Sequence, residues 1–154
     1  VEEAFVMSGR AAFMLDGDNL RHGINGDLGF SDKDRKENVR RAGEVARLFA
    51  ESGALALVSL ISPCAEDRDL VRALHREAGL PYAEVFMDTP LDECERRDPK
   101  GLYARARAGQ LPGFTGIDSP YEAPHDAELS LQPSSGSISE QASQVLALIE
   151  EITR

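Results

Sequence analysis

Short apolar runs alternate with amphipathic stretches along this chain, and the alternation predicts strands followed by helices. Val1 to Met7 has the pattern of the last turns of a helix whose start is absent. Ala11-Ala12-Phe13-Met14-Leu15 then reads as a strand ending at Asp16, entered from Ser8-Gly9-Arg10. From Asp34 to Ser52 the apolar positions Val39, Ala42, Val45, Ala46, Leu48 and Phe49 recur at helical spacing, with Gly53 as the C′ stop. Ala54 to Ile61 is a continuous apolar run, expected of a strand buried on both faces in a parallel sheet. Ser62-Pro63 ends it, and a helix is predicted from about Ala65 to Ala78, before Gly79. A third strand, Tyr82 to Asp88, leads through Thr89 and Pro90, at the first helical position, into a helix with Leu91 and Cys94. Glu128 to Leu131 reads as a short last strand. Ser139 is expected to cap a final helix carrying Val145, Leu146, Leu148, Ile149 and Ile152. The fold class is therefore α/β, one domain over residues 1–154, with a parallel sheet between helix layers.

Residues 98–124 break the pattern. Glycine and proline crowd around Lys100-Gly101-Leu102-Tyr103 and Gly113-Phe114-Thr115-Gly116-Ile117-Asp118, too densely for a regular core element. We read the region as a mobile lid over a site, with a short helix near Leu102–Ala108. No apolar run could span a bilayer, and the N-terminus lacks a signal-peptide pattern, so no membrane partner is expected. Cys64 and Cys94 form no metal-ligand spacing and suit a reducing, cytoplasmic compartment. His22, His75 and His125 are scattered, which argues against zinc. With 17 basic and 27 acidic residues the formal charge is −10, the wrong sign for a general nucleic-acid binder. Yet Arg96, Arg97, Lys100, Arg105 and Arg107 gather in a window holding one acid, Asp98. That gathering fits a small anion, and equally a solvated helix face.

The densest chemistry lies between Leu15 and Asn38. Asp16 and Asp18 flank a glycine at the end of a predicted strand, where α/β proteins bind ligands. Two such carboxylates could hold Mg²⁺ or take a proton from an attacking hydroxyl; the plain alternative is a polar turn. Arg35 and Asn38 are three residues apart at a helix start and share a face, with a guanidinium fork suited to phosphate or sulfate. Asn38 could meet a base edge or an oxyanion. Ser62, just past a strand, could line the same crevice or cap the next helix. Phe30 and Phe114 sit in glycine-bordered loops, as purine-stacking partners or as core packing. Lys100 and its neighbours could neutralise a transferring phosphate.

Taken together, LDGDNLRHGINGDLGFSDKDRKENVRR (Leu15–Arg41), ISP (Ile61–Pro63), DTPLDECERRDPKGLYARARAG (Asp88–Gly109) and GFTGIDSPYEAP (Gly113–Pro124) resemble the adenylylsulfate (APS) kinase family over nearly the whole chain. The resemblance implies transfer of the ATP γ-phosphoryl to the 3′-hydroxyl of APS, giving 3′-phosphoadenylylsulfate (PAPS) in sulfate assimilation, with ATP and Mg²⁺. It places Asp18, Arg21, Phe30, Arg35, Asn38, Ile61, Ser62, Lys100, Gly113 and Phe114 on APS. Phe30 and Phe114 would sandwich the adenine, and Arg21, Arg35 and Asn38 would hold the phosphosulfate. Asp18 would orient or deprotonate the hydroxyl, Asp16 would face the metal, and Arg97 would contact ATP. Ser62 matches a serine assigned in this family as a phosphorylated intermediate, although in-line transfer between two bound nucleotides needs no covalent step. A homodimer and fusion to, or association with, ATP sulfurylase are also implied. The family's phosphate loop, G-x-x-x-x-G-K-[ST], does not occur in these 154 residues. The expectation is an N-terminally incomplete kinase domain, a three-layer P-loop-kinase-like sheet without its central strand, impaired in ATP use. The alternative is a non-catalytic module binding APS or PAPS.

Overall fold

The computed structural model describes residues 1–154. A short helix α1 (Glu2–Met7) precedes strand β1 (Ala12–Asp16), and helices α2 (Gly17–His22) and α3 (Asp32–Glu51) lead to β2 (Leu55–Ser59). Helix α4 (Ala65–Glu77), strand β3 (Val85–Met87), helices α5 (Leu91–Arg97) and α6 (Leu102–Arg107), strand β4 (Leu129–Leu131) and helix α7 (Ile138–Ile152) complete the chain. No helix is long and apolar enough to cross a membrane.

β1 and β2 pair in parallel, from Ala12 opposite Leu55 to Asp16 opposite Ser59. Parallel partners need a long crossover, and α3 supplies it. Its start is set by Ser31, whose hydroxyl accepts from the Asp34 N–H, and by acids at positions 32 and 34 facing the positive end of the helix. The helix therefore begins earlier than the expected Asp34. Its apolar stripe buries Val39, Ala42 and Ala46, and the last two join Leu15 and Leu20 in the core, with Phe49 and Ala56 packed against them.

β3 and β4 form a second parallel pair, Val85 to Met87 beside Leu129 to Leu131. The two pairs do not meet. Between them lies a cavity of about 1100 Å³, lined among others by Leu55 and Leu57 of β2, Val85 of β3, and Leu148 and Ile152 of α7. Two expectations fail here for one reason. β2 was expected to be buried on both faces, but Val58 is 43 % exposed, since the strand has a neighbour on one edge only. The strand expected over Tyr82–Asp88 shrinks to three residues: the Glu84 N–H goes to the Glu128 carboxylate, and Tyr82 turns its ring against His75.

Other boundaries move slightly. Ser137, not Ser139, caps α7, because Glu140 lies three residues on and closes a reciprocal capping box. Pro90 is the cap residue of α5 and not its first helical position. α2 was not anticipated at all.

Helices α3 and α4 approach closely at Gly43, where an added Cβ would lie 2.7 Å from Val71 Cγ2. Valine has little rotamer freedom with which to yield. Alanine would normally gain about 1 kcal/mol of helix propensity over glycine. Gly43→Ala should instead lose about 1–2 kcal/mol net, as overpacking outweighs propensity. Urea denaturation of the two proteins checks this.

Candidate active site

The carboxyl ends of β1 and β2 lie side by side, because Asp16 and Ser59 are register partners. Asp16 is a helix cap: its Oδ1 accepts from the N–H groups of Asp18 (3.0 Å) and Asn19 (3.2 Å) and starts α2. The Asp-Gly-Asp segment is thus a strand-to-helix joint, not a free turn. Gly17 fits that joint because a Cβ there would stand 3.2 Å from Leu60 Cβ and 3.3 Å from the Ser59 carbonyl oxygen.

Asp18 projects into solvent and meets Lys100 Nζ at 2.5 Å, across 82 residues of chain. The hydrogen bond and charge of Lys100 hold the Asp18 carboxyl below its ordinary pKa, and Asp18 in turn raises that of Lys100. Both groups stay charged near neutrality.

Arg21 donates to the carbonyls of Leu28 (3.2 Å) and Gly29 (2.9 Å), and its guanidinium lies 4.4 Å from the centre of the Phe30 ring. Phe30 is otherwise open, 69 % exposed. Arg35 joins two loops: it donates from Nε to the Phe30 carbonyl (2.9 Å), and from Nη1 to the Thr115 hydroxyl and Nη2 to the Gly113 carbonyl in the second. Opposite it, Asp118 accepts from the N–H groups of Gly113 (2.7 Å) and Phe114 (2.6 Å), and these bonds lower its pKa. Phe114 packs edge-on against Tyr103 at 5.1 Å.

Asn38 is buried, and its Oδ1 accepts from Asn25 Nδ2 at 3.0 Å. Ile61 is 60 % exposed at the end of the β2 segment. The Ser62 hydroxyl is sealed from solvent and has no hydrogen-bond partner, so no base stands ready to activate it. Nor does Ser62 cap α4, whose cap position is Cys64; the free N–H of Ala65 is taken by the Glu122 carboxylate at 2.6 Å. Arg68, itself buried, donates to the carbonyls of Ser62 (2.6 Å) and Glu122 (2.7 Å) and so ties residues 109–125 to the end of the β2 segment. Arg97 is occupied elsewhere, donating to Glu93 at 2.6 Å one turn back along α5. No group of three or more metal-ligating side chains occurs.

The structure thus brings six of the predicted residues into contact as pairs that were not themselves predicted: Asp18 with Lys100, Arg21 with Phe30, and Arg35 with Gly113. It does not bring Arg97 to them. Residues 98–124 are less irregular than expected, held at both ends by carboxylates: Asp98 takes the N–H groups of Tyr103 and Ala104, as Asp118 does those of Gly113 and Phe114. Sequence reading missed Asn25, Arg68, Thr115, Asp118 and Glu122. Only Asp118 carried a local signal, an Asp following a Gly-Phe-Thr-Gly turn.

Parallel strands with charged side chains gathered at their carboxyl ends define an α/β protein with a candidate ligand site at that edge. The chain belongs to the adenylylsulphate kinase family, whose model matches residues 1–132. It is 57% identical over 97% of its length to the bifunctional enzyme CysN/CysC of Mycobacterium tuberculosis, of which it spans only 24%. It is 52% identical over 97% of its length to the adenylyl-sulfate kinase of Geotalea uraniireducens, covering 71% of that protein. Its structure superposes with a TM-score of 0.94 on the APS kinase CysC of M. tuberculosis, solved in complex with AMPPNP and APS. That match has 57% identity and covers 97% of this chain and 86% of the other.

Replacing Lys100 by methionine removes the group that holds the Asp18 pKa down. In Lys100→Met the Asp18 carboxyl should titrate at higher pH than in the wild type, towards the ordinary aspartate value. Carbon-detected NMR titration of Asp18 checks the direction.

Proposed function

We propose that the chain forms the acceptor half of an adenylyl-sulfate kinase, binding APS and presenting its 3′-hydroxyl to the γ-phosphorus of ATP. The observation that carries this reading is the Asp18–Lys100 pair, which places a carboxylate and a mobile cation together at a strand's carboxyl end. Asp18 accepts the hydrogen bond of the 3′-hydroxyl and fixes its line of attack. As the new O–P bond forms and the bond to the departing ADP oxygen breaks, the hydroxyl proton passes to Asp18, giving PAPS and ADP. A carboxylate is a weak base beside an alkoxide, so this transfer comes late, when bonding to phosphorus has acidified the hydroxyl. Lys100, released from Asp18, moves to the phosphate oxygens, whose negative charge replaces that of Asp18 in keeping it protonated.

Arg21, Arg35 and Asn38 hold the phosphosulfate, with Phe30 and Phe114 against the adenine and Ile61, Ser62 and Gly113 along the walls. Arg35 keeps spare N–H donors beside its three protein bonds, so it can hold the 113–115 loop and an anion together. Mg²⁺ would offset phosphate charge, and the donor set suits it: Oδ2 of Asp16 is not used in the cap, and this ion keeps waters and phosphates as its other ligands. Ser62 stays unmodified throughout. Arg97 reaches ATP by leaving Glu93, and residues 98–124 close as a lid.

The ATP phosphates need a glycine-rich cradle that these 154 residues do not contain. The cavity between β2 and β3 suits one further parallel strand, and such a strand would end beside Asp16 and Ser59. A non-catalytic APS-binding module is the second reading, favoured by the missing cradle alone. Cytoplasmic location, a homodimer and linkage to a sulfurylase belong to the same proposal; the free thiols and the bifunctional relative support the first and last.

Calorimetric titration with APS should give saturable binding by this chain without ATP. PAPS should form only when an N-terminal strand and phosphate loop are added. Absence of APS binding by both forms would sink the proposal, and binding without PAPS in the extended form would select the module.

A further inference from the structure

Asn25 is fully buried, at 0 % exposure, yet it sits in a glycine-flanked loop where a turn residue would be ordinary. Its backbone is fixed on both sides: the N–H donates to the Leu20 carbonyl at 2.8 Å, and the carbonyl accepts from the Leu28 N–H at 3.1 Å. Arg41 adds a bond to the neighbouring Ile24 carbonyl (2.9 Å) and a two-point pair with Asp27 (2.6 and 2.9 Å). The loop is thus anchored to α3 from outside while Asn25 points into the protein.

There Asn25 Nδ2 donates to Asn38 Oδ1, and Asn25 Oδ1 is left buried with no partner. An orphaned acceptor is costly to a fold, and an apolar residue would avoid it. The arrangement has a different effect. A side-chain amide can turn over, exchanging a donor for an acceptor at nearly the same place. Once Asn38 Oδ1 is engaged by Asn25, the group left to Asn38 is Nδ2, which makes no hydrogen bond within the protein and is not sealed from solvent. Asn38 lies one turn after Arg35 on the same helix face.

We propose that Asn25 is a positioning residue that locks the Asn38 amide with Nδ2 outward, making Asn38 an obligate donor to an anionic oxygen of the bound nucleotide. The inference rests on the APS-binding reading above and sharpens it. It disfavours the base-edge role for Asn38, because Oδ1, with one lone pair taken by Asn25, has only one left for a base donor. It also makes the site intolerant of ligands that present a donor at that point, since two N–H groups would then face each other.

Two measurements test it on the full chain. In amide-detected NMR, addition of APS should shift the Nδ2 protons of Asn38 strongly and leave those of Asn25 near their free position. A strong shift at Asn25 with none at Asn38 would overturn the assignment. In calorimetry, Asn25→Ala should weaken APS binding about tenfold, and Asn38→Ala by a similar factor, as expected for one bond to a charged group. The double variant should be no weaker than Asn38→Ala alone, because Asn25 acts through Asn38. Independent, additive losses would reduce Asn25 to a packing residue and overturn the proposal. Thermal melting of each variant controls for folding, and if Asn25→Ala is too unstable, Asn25→Leu, with the same side-chain branching and no donor, carries the same comparison. A wild-type chain that fails to bind APS would count against the function itself, whereas wild-type binding matched by the Asn25 variants would count against this inference only.

Discussion

The parallel register of β1 and β2 is the constraint from which the site follows. It sets Asp16 level with Ser59, so the start of α2 and the Ile61–Pro63 segment emerge together from the sheet. That pairing exists because α3 carries the chain back over the sheet with Ala42 and Ala46 against Leu15 and Leu20. Small residues on α3 let the sheet and α4 come close on either side. Once these contacts are made, Arg35 and Asn38, in the first half of α3, have nowhere to go but the strand ends.

The cations of the cluster so formed are satisfied by the protein itself. Arg35 spends its fork on Phe30, Thr115 and Gly113, Arg21 on Leu28 and Gly29, and Lys100 on Asp18. Protein carbonyls and a carboxylate stand where anionic oxygens would bind. Such groups are preorganised and incur little reorganisation when exchanged for a ligand. Arg68 and Glu122 act from behind, fixing the loops that carry Ser62 and the 109–125 segment without joining the cluster.

Elements with a strong period were legible from sequence. α3, α4, α6, β1 and β4 lie within a few residues of expectation because apolar spacing and terminal glycines coincide there. α2 was hidden because Asp-Gly-Asp reads as a turn until one sees Asp16 accepting two N–H groups. β3 was overestimated because apolar content cannot tell whether a neighbouring strand is present to pair with it. Asp16, Asp18, Arg21, Arg35 and Lys100 were visible as candidates, through a resemblance that covers almost the whole chain, whereas Arg68, Asp118 and Glu122 were not. Asn25 was not, because burial of a polar residue between glycines has no sequence signal. Arg97 was assigned by family position, whereas its nearest acid, Glu93, holds it in this structure.

Arg68 and Arg72 on α4 grip Glu84, ahead of β3, and Arg72 also grips Glu128, ahead of β4. These four residues therefore rivet the half of the molecule built on β1 and β2 to the half built on β3 and β4, beside the cavity where no backbone pairing joins them. Arg68 and Glu84 are largely shielded, so salt weakens the rivet little. The two halves are therefore joined here through side chains rather than through a continuous sheet. A strand entering the cavity would find its two flanking edges already held in place.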